Sequence, residues 1–319
     1  SDLDIYQQTQ SDTIWNLTNL SQKQIFNESH AYTGGVSYHF SPESEVGLKY
    51  EGKYSEGNTS SNETLSMIPD KGVSTFIKNL SDVSDNSVSN HFNLYYINDW
   101  KNGWKMNVFG DYLHKTDRSR GNIREWESDD AETSMDYHRK ADWDLFAAKF
   151  SLSYETEKAG TFSLGYDFSH TSGTDYIEYI RALNNGRTRN TELKNSLYLS
   201  YDYAWNNLSL GAGLRYEHIR SDLRETNDSK SQNQTYHNFL PSVSLSYNTE
   251  SLQQSLTYSI HTERPPFGVM NDNAVYTDRF TYQKGNLYLK QALTHDLNYM
   301  LFYKFLFFNL IIPVRTIRW

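Results

Sequence analysis

The sequence predicts an all-β protein: an antiparallel transmembrane β-barrel wall of about 11 strands, a partial barrel, with short periplasmic turns and long extracellular loops. Three observations carry this expectation. Apolar and polar residues alternate with period two in segment after segment, the signature of a strand with one apolar face. The connections between these segments alternate between short turns and long polar stretches. Aromatic residues make up 15% of the chain, with 25 Tyr, while the mean hydropathy is only -0.75. A barrel reconciles those two numbers, because only alternate strand residues face lipid and the loops are polar.

The first clear strand places Tyr32, Val36, Tyr38 and Phe40 on one face, with Thr33, Ser37 and His39 between them. After the turn Ser41-Pro42-Glu43-Ser44, Val46, Leu48, Tyr50 and Tyr54 alternate with Glu45, Lys49, Glu51 and Lys53, completing a hairpin. Phe92, Leu94 and Tyr96 lead through a tight turn at Asn98 to Gly103 into Trp104, Met106, Val108 and Tyr112. Phe146, Phe150, Leu152 and Tyr154 precede a turn at 155–160, and Phe162, Leu164, Tyr166 and Phe168 follow it. Leu193, Leu197, Leu199, Tyr201 and Tyr203 turn at Asn206 and Asn207 into Leu208, Leu210, Ala212, Leu214 and Tyr216, with Lys194, Ser196, Asp202 and Arg215 on the opposite face. Phe239, Val243, Leu245 and Tyr247, then Leu256, Tyr258 and Ile260, form a further hairpin around 248–251.

Strands of roughly nine to eleven residues are long enough to cross a bilayer at a tilt. The segments 55–90, 115–142, 171–190, 219–237 and 261–290 are then expected as extracellular loops. Phe40, Trp100, Trp104, Tyr154, Phe162, Trp205 and Tyr247 cluster beside the short turns, where amphipathic rings suit a periplasmic headgroup girdle. A soluble β-sandwich would also alternate, but nothing in a sandwich requires short and long connections to follow one another so regularly.

A formal charge of -9 and a pI near 5.6 argue against a nucleic-acid partner, which needs a basic footprint. The absence of Cys removes disulfides and thiolate metal sites. No zincin, nucleophile-elbow, P-loop or EF-hand pattern occurs, so no catalytic, cofactor-binding or metal residues are assigned and no cofactor is expected. His114, His170, His218 and His261, near the outer strand ends, are the residues a rim-catalytic enzyme would use. Asp82 with Asp85, and Asp129 with Asp130, could offer oxygen ligands to calcium, although solvated loop charge is the commoner role.

The segment 239–291 adds a family resemblance. It reads Phe239-Leu240-Pro241-Ser242-Val243-Ser244-Leu245-Ser246-Tyr247, then Arg264, Pro265, Phe267, Asn271, Asp278, Gly285, Asn286, Leu289 and Lys290 in order. This resembles the strand and loop of TonB-dependent outer-membrane receptor barrels of the Bacteroidetes type, the outer membrane protein beta-barrel family. Gly213-Leu214-Arg215-Tyr216-Glu217 is similar to a second family strand. The chain departs from the pattern at Asp272, Arg279, Leu287 and Gln291, where the family usually has Pro, and at Ala292, where it has Glu. The resemblance implies a place in the cell outer membrane and ligand uptake driven by inner-membrane energy. It implies as partners outer-membrane lipid, a plug domain and the TonB energy-coupling complex. The Pro, Gly and hydrogen-bonding side chains of the loop from Arg264 to Asn286 suit an architectural role, a folded extracellular lid, in preference to direct ligand contact.

Residues 1–30 are expected as a leading segment or an additional strand, 31–303 as the partial barrel and 304–319 as an aberrant apolar tail. The run Phe305 to Pro313 lacks alternating polar residues and is short for a spanning helix, which suggests a C-terminal truncation or frameshift. The chain opens at Ser1 with no basic and apolar leader, so a secretory signal is expected to have been removed or to lie upstream. An open sheet edge is costly in lipid, so the partial barrel is not expected to transport alone. The rival readings are a passive pore or adhesin without TonB coupling, and a rim-catalytic barrel enzyme.

Overall fold

The computed structural model describes residues 2–10, 14–70, 73–127, 132–180, 185–225, 231–270, 273, 275–278 and 281–317. The strands are β1 (Asp2–Gln10), β2 (Ile14–Ser41), β3 (Ser44–Pro69), β4 (Thr75–Asp99), β5 (Trp104–Glu127), β6 (Thr133–Thr156), β7 (Gly160–Ile180), β8 (Gly186–Trp205), β9 (Leu208–Glu225), β10 (Ser231–Asn248) and β11 (Leu252–Glu263). A single helical turn, α1 (Phe267–Met270), and two short strands, β12 (Val275–Asp278) and β13 (Thr281–Gln283), precede β14 (Ala292–Tyr303) and β15 (Leu306–Ile317).

All but β12 and β13 join one 13-stranded antiparallel sheet in the order β1 to β11, β14, β15. This is two strands more than the alternation alone suggests: β1 lies in the expected leading segment and β15 in the expected apolar tail. The sheet is a meander in which each strand pairs with its sequence neighbours, and β1 and β15 form its two unjoined edges. Register carries the alternation across strands. Leu197 lies opposite Tyr216 and Tyr216 opposite Phe239, while one face over, Ser200 opposes Gly213 and Gly213 opposes Ser242. The first set is outward: Leu197 is 51% exposed and Phe239 64%. The second is concave, since Arg215 on β9 reaches Asp167 on β7 at 2.6 Å past the intervening strand β8.

The structure corrects the expected strand length and loops. β2 has 28 residues, β5 and β6 have 24, and β9 and β10 have 18. At about 3.3 Å per residue a 24-residue strand extends on the order of 80 Å, far beyond a hydrocarbon core of about 30 Å. Most of 55–90, 115–142, 171–190 and 219–237 is therefore hairpin rather than loop. The hydropathy pattern fades there because the outward residues no longer need to be apolar. The backbone ladder does not fade, since pairing is independent of side-chain polarity.

The expected segment boundaries shift as well. Residues 1–30 contribute β1 and the outer part of β2. The run expected as an aberrant tail contains β15, paired with β14 from Tyr303↔Leu306 to Ala292↔Ile317 across a tight turn in which Lys304 has φ 52°. Alternation is missing from this run because both of its faces are apolar, with Phe307 and Ile311 on one and Phe308, Leu310 and Ile312 on the other. Strand formation requires only a paired partner and β-forming residues.

The expected loop at 261–290 is the one that stays largely irregular. β10 and β11 pair only from Ser242↔Ser259 downward, next to Pro241, which has no amide proton to donate. The buried clusters lie where the irregular segment packs on the concave face, around Met135, Ile177 and Tyr179 and around Leu223, Met270 and Leu287. Amide exchange offers a direct check on the hairpins. Residues 55–66 and 79–90 are expected to exchange slowly, as paired strand does, and exchange as fast as in a short peptide would restore the loop reading.

Candidate ligand vestibule

The segment after β11 leaves the sheet because Pro265 and Pro266 lack donors and hold the preceding backbone extended. It then folds onto the concave wall. Arg264 forms an ion pair with Glu192 on β8. Phe267 stacks on Trp143 of β6, with ring centroids 5.5 Å apart and planes 15° from parallel. Met270 and Leu287 pack on Leu223 of β9, with Phe267 and Leu289 alongside. Tyr276 on β12 donates its hydroxyl to Glu125 at 3.0 Å and its amide to the Tyr179 hydroxyl at 3.3 Å. Gln234 of β10 donates to the Leu289 carbonyl at 3.1 Å. Gln291 and Asn238, both essentially fully buried, exchange side-chain hydrogen bonds of 2.7 and 3.3 Å.

The family-motif residues thus divide by role. Arg264, Pro265, Phe267 and Leu289 lie against the wall, and Asn286 shapes the turn by accepting from the Tyr288 amide at 2.9 Å while its own amide donates to Val269 at 2.9 Å. Gly285 lies just before that turn, Asp278 lies on β12, and Asn271 falls outside the described residues. Two positions that depart from the family pattern, Leu287 and Gln291, are among the most buried residues of the segment. The wall residues that receive the loop, Trp143, Glu192, Asn238 and Tyr179, carried no sequence signal, and Tyr179 falls inside the expected loop 171–190.

Below the loop, the concave wall carries a charge network. Glu217 is 3% exposed and accepts from Lys194 Nζ and Arg215 Nε at 2.9 Å each, with Ser196 Oγ at 3.5 Å and Thr262 Oγ1 at 3.4 Å. The Arg215 guanidinium also lies 5.8 Å from the Tyr198 ring centre. On β3 to β5, His91 bridges Glu51 at 3.2 Å and Asp111 at 2.9 Å. The buried Glu217 has two opposite charges in contact, which offset its desolvation.

Above this network a cavity of about 680 Å³ opens between the projecting hairpins and the loop. Ser87 donates to Asp117 at 2.6 Å, and Arg139 grips Asp175 through two bonds of 3.0 and 2.5 Å. Those bonds raise the pKa of the Arg139 guanidinium, against its partial burial. Trp143 and Gly268 supply the rest of the lining where the loop meets the wall. Hydroxyls, carboxylates and one aromatic edge suit a polar, hydrogen-bonding ligand.

The histidines do not converge on this cavity. His114, His170 and His218 face outward, and His261 lies 2.9 Å from Asp296. His114 lies between Asp144, 2.9 Å from Nδ1, and Thr116 Oγ1, 3.4 Å from Nε2. The Thr116 hydroxyl donates instead to Asp142 at 2.8 Å, so its proton is committed to a carboxylate rather than to the imidazole. Asp82 and Asp85 lie on opposite faces of β4 and cannot share a cation, while Asp129 and Asp130 fall outside the described residues. Among the described residues no three His, Asp or Glu side chains are grouped to hold a metal ion.

Two substitutions test the docking of the loop and the wall beneath it. A Cβ on Gly173 would lie 2.2 Å from the Trp143 ring, so Gly173→Val is expected to displace Trp143, free Phe267 and speed tryptic cleavage at Lys284 and Lys290 about tenfold. Unchanged cleavage would show that the loop does not depend on that stack. Glu217→Ala leaves Lys194 without its carboxylate partner and Arg215 with Asp167 alone, and is expected to cost about 3 kcal/mol in a reversible unfolding experiment.

Residues 98–316 match the model of the outer membrane protein beta-barrel family, a stretch that includes the loop, the charges around Glu217 and all but the last residue of β15. No curated protein sequence matches the chain. The unliganded ferric citrate transporter FecA superposes with a TM-score of 0.51 and 12% identity, covering 90% of this chain and 46% of its own. The ferric yersiniabactin uptake receptor FyuA from Yersinia pestis superposes with a TM-score of 0.50 and 9% identity, covering 95% of this chain and 52% of its own. At such identities the likeness concerns the fold, and the chain spans about half the length of either structure. On the strength of the matched strands and loop, this chain belongs to the outer membrane protein beta-barrel family and forms barrel wall in the outer membrane.

Proposed function

We propose that the chain is the barrel wall of a TonB-dependent receptor that takes up a polar ligand from outside the cell. Its partners in this reading are outer-membrane lipid around the apolar band, a plug domain inside the barrel and the TonB energy-coupling complex. The observation that carries the reading is the polar concave wall, which continues past the apolar band into the long hairpins and is covered there by a docked loop. A passive pore needs only the spanning residues. Strands extended far above the membrane around a polar cavity serve instead to hold a ligand before it enters.

Barrel width supports the same reading. Thirteen strands form the sheet without its edges meeting, so the closed barrel is wide. Barrels of about 22 strands enclose a lumen that side chains cannot fill and that is plugged in transporters. The unpaired edges of β15 and of the lower part of β2, below its pairing with β1, would each expose peptide groups to lipid at several kcal/mol apiece, so this wall alone does not transport. We assign no bond-making chemistry to it.

Uptake by cells carrying the whole gene provides the test. Accumulation of the ligand is expected to fall to background when the TonB complex is removed, and to fall severalfold when residues 267–289 are replaced by a short glycine-serine linker. Accumulation at full rate without TonB would sink the receptor reading and leave a passive pore.

A further inference from the structure

The outward face of β8 and β9 changes character abruptly at one height. Below that height it carries Leu197 and Leu199 on β8 and Leu210 and Leu214 on β9. Above it stand Arg189 and Thr191 on β8 and Arg220, Asp222 and Arg224 on β9. Register sets Arg189 opposite Arg224, Thr191 opposite Asp222 and Leu193 opposite Arg220. These six residues line a single outward pocket of about 340 Å³.

The charges do not balance there. Arg224 is committed to Asp222 through two bonds of 2.8 Å. Among the described residues no carboxylate pairs with Arg189 or Arg220, although the chain as a whole carries a formal charge of -9. The fields of all three arginines meet at this point: Arg224 lowers the Asp222 pKa most, through its hydrogen bonds, and Arg220 and Arg189 lower it further. Two guanidinium groups therefore lie exposed and unneutralised on the side of the sheet that faces away from the lumen.

Height identifies what they meet. About ten tilted residues cross the hydrocarbon of a bilayer, and Leu193 and Arg220 lie just beyond that distance from the Asn206-Asn207 turn. One row lower, the rings of His218 and His237 stack at 4.8 Å, and Tyr216 Oη lies 2.8 Å from His237 Nδ1, an amphipathic rim between the apolar band and the arginines. A guanidinium fork matches two phosphate oxygens at once, and the apolar surface below it suits acyl chains.

We infer that the pocket of Arg189, Arg220 and Arg224 binds the phosphate of an anionic lipid headgroup in the outer leaflet, with Thr191 as a further hydrogen-bonding group and Leu193 against the upper acyl chain. The site lies outside the lumen and is independent of the transported ligand. It anchors the wall at a fixed depth, where a phosphate held by two arginines resists both sinking and rising of the strands.

Native mass spectrometry of the full-length protein, extracted in mild detergent, tests this with lipid A, dephosphorylated lipid A and inorganic phosphate as probes. Lipid A is expected to be retained, and R189S/R220S is expected to weaken retention about tenfold or more. R189K/R220K keeps the charge without the fork and is expected to fall in between, which separates a lost site from a misfolded barrel. Lys140→Ser, on the outward face of β6 away from the pocket, is expected to change nothing. Unchanged retention in R189S/R220S, equal retention of the dephosphorylated lipid, or inorganic phosphate binding as tightly as lipid A would each overturn the inference.

Discussion

Inside a membrane every backbone N–H and C=O needs a partner from the protein, and this requirement governs the rest of the structure. It forces neighbouring segments into continuous antiparallel pairing and leaves side chains only two directions, outward or inward. Outward residues then become apolar and inward residues polar. The short turns, such as the one at Asn206, where φ is 50°, follow from keeping each pair of strands adjacent. Above the membrane the constraint on side chains relaxes but the ladder persists, which is why β2 to β6 run on as long polar hairpins.

The loop after β11 exploits the one place where that ladder opens. With Pro241 unable to donate and β10–β11 pairing confined to the lower part of the strands, the segment enters the concave side and is held by dissimilar contacts. An ion pair to Glu192, a ring stack on Trp143, an apolar cluster at Leu223 and a reciprocal amide pair with Asn238 anchor it at separate points. Packing of this kind tolerates departures from a family pattern when the replacement finds its own partner, as Gln291 does. The loop joins strands β5 to β10 on their inner face, so its position and the shape of the cavity beside it are coupled.

The two faces of the wall serve different partners. The inward face pairs its buried Glu217 internally with Lys194 and Arg215. The outward face leaves Arg189 and Arg220 uncompensated at the edge of the apolar band. Charge that a wall neutralises within itself supports its own geometry, whereas charge left open at a defined height supports contact with something outside it.

The sequence by itself determined the strand class, the side-chain direction in the strands whose alternation is clear, and the short turns between those strands. Period-two alternation and turn residues are local properties, as at Leu197, Leu199 and Tyr201 leading into Asn206-Asn207. It also marked the loop motif from Arg264 to Leu289 and the family to which that motif points. Strand length above the membrane was not legible, because hairpin residues such as Ser81, Asp85 and Ser87 look like loop residues once neither face is required to be apolar. β15 was hidden for the opposite reason, with apolar residues on both faces. Only the tertiary structure decided which wall residues receive the loop, since Trp143 meets Phe267 and Asn238 meets Gln291 across large sequence separations, and only register decided that Arg189, Arg220 and Arg224 share one pocket. Both are products of long-range pairing, and no local pattern encodes which distant residues pairing will bring together.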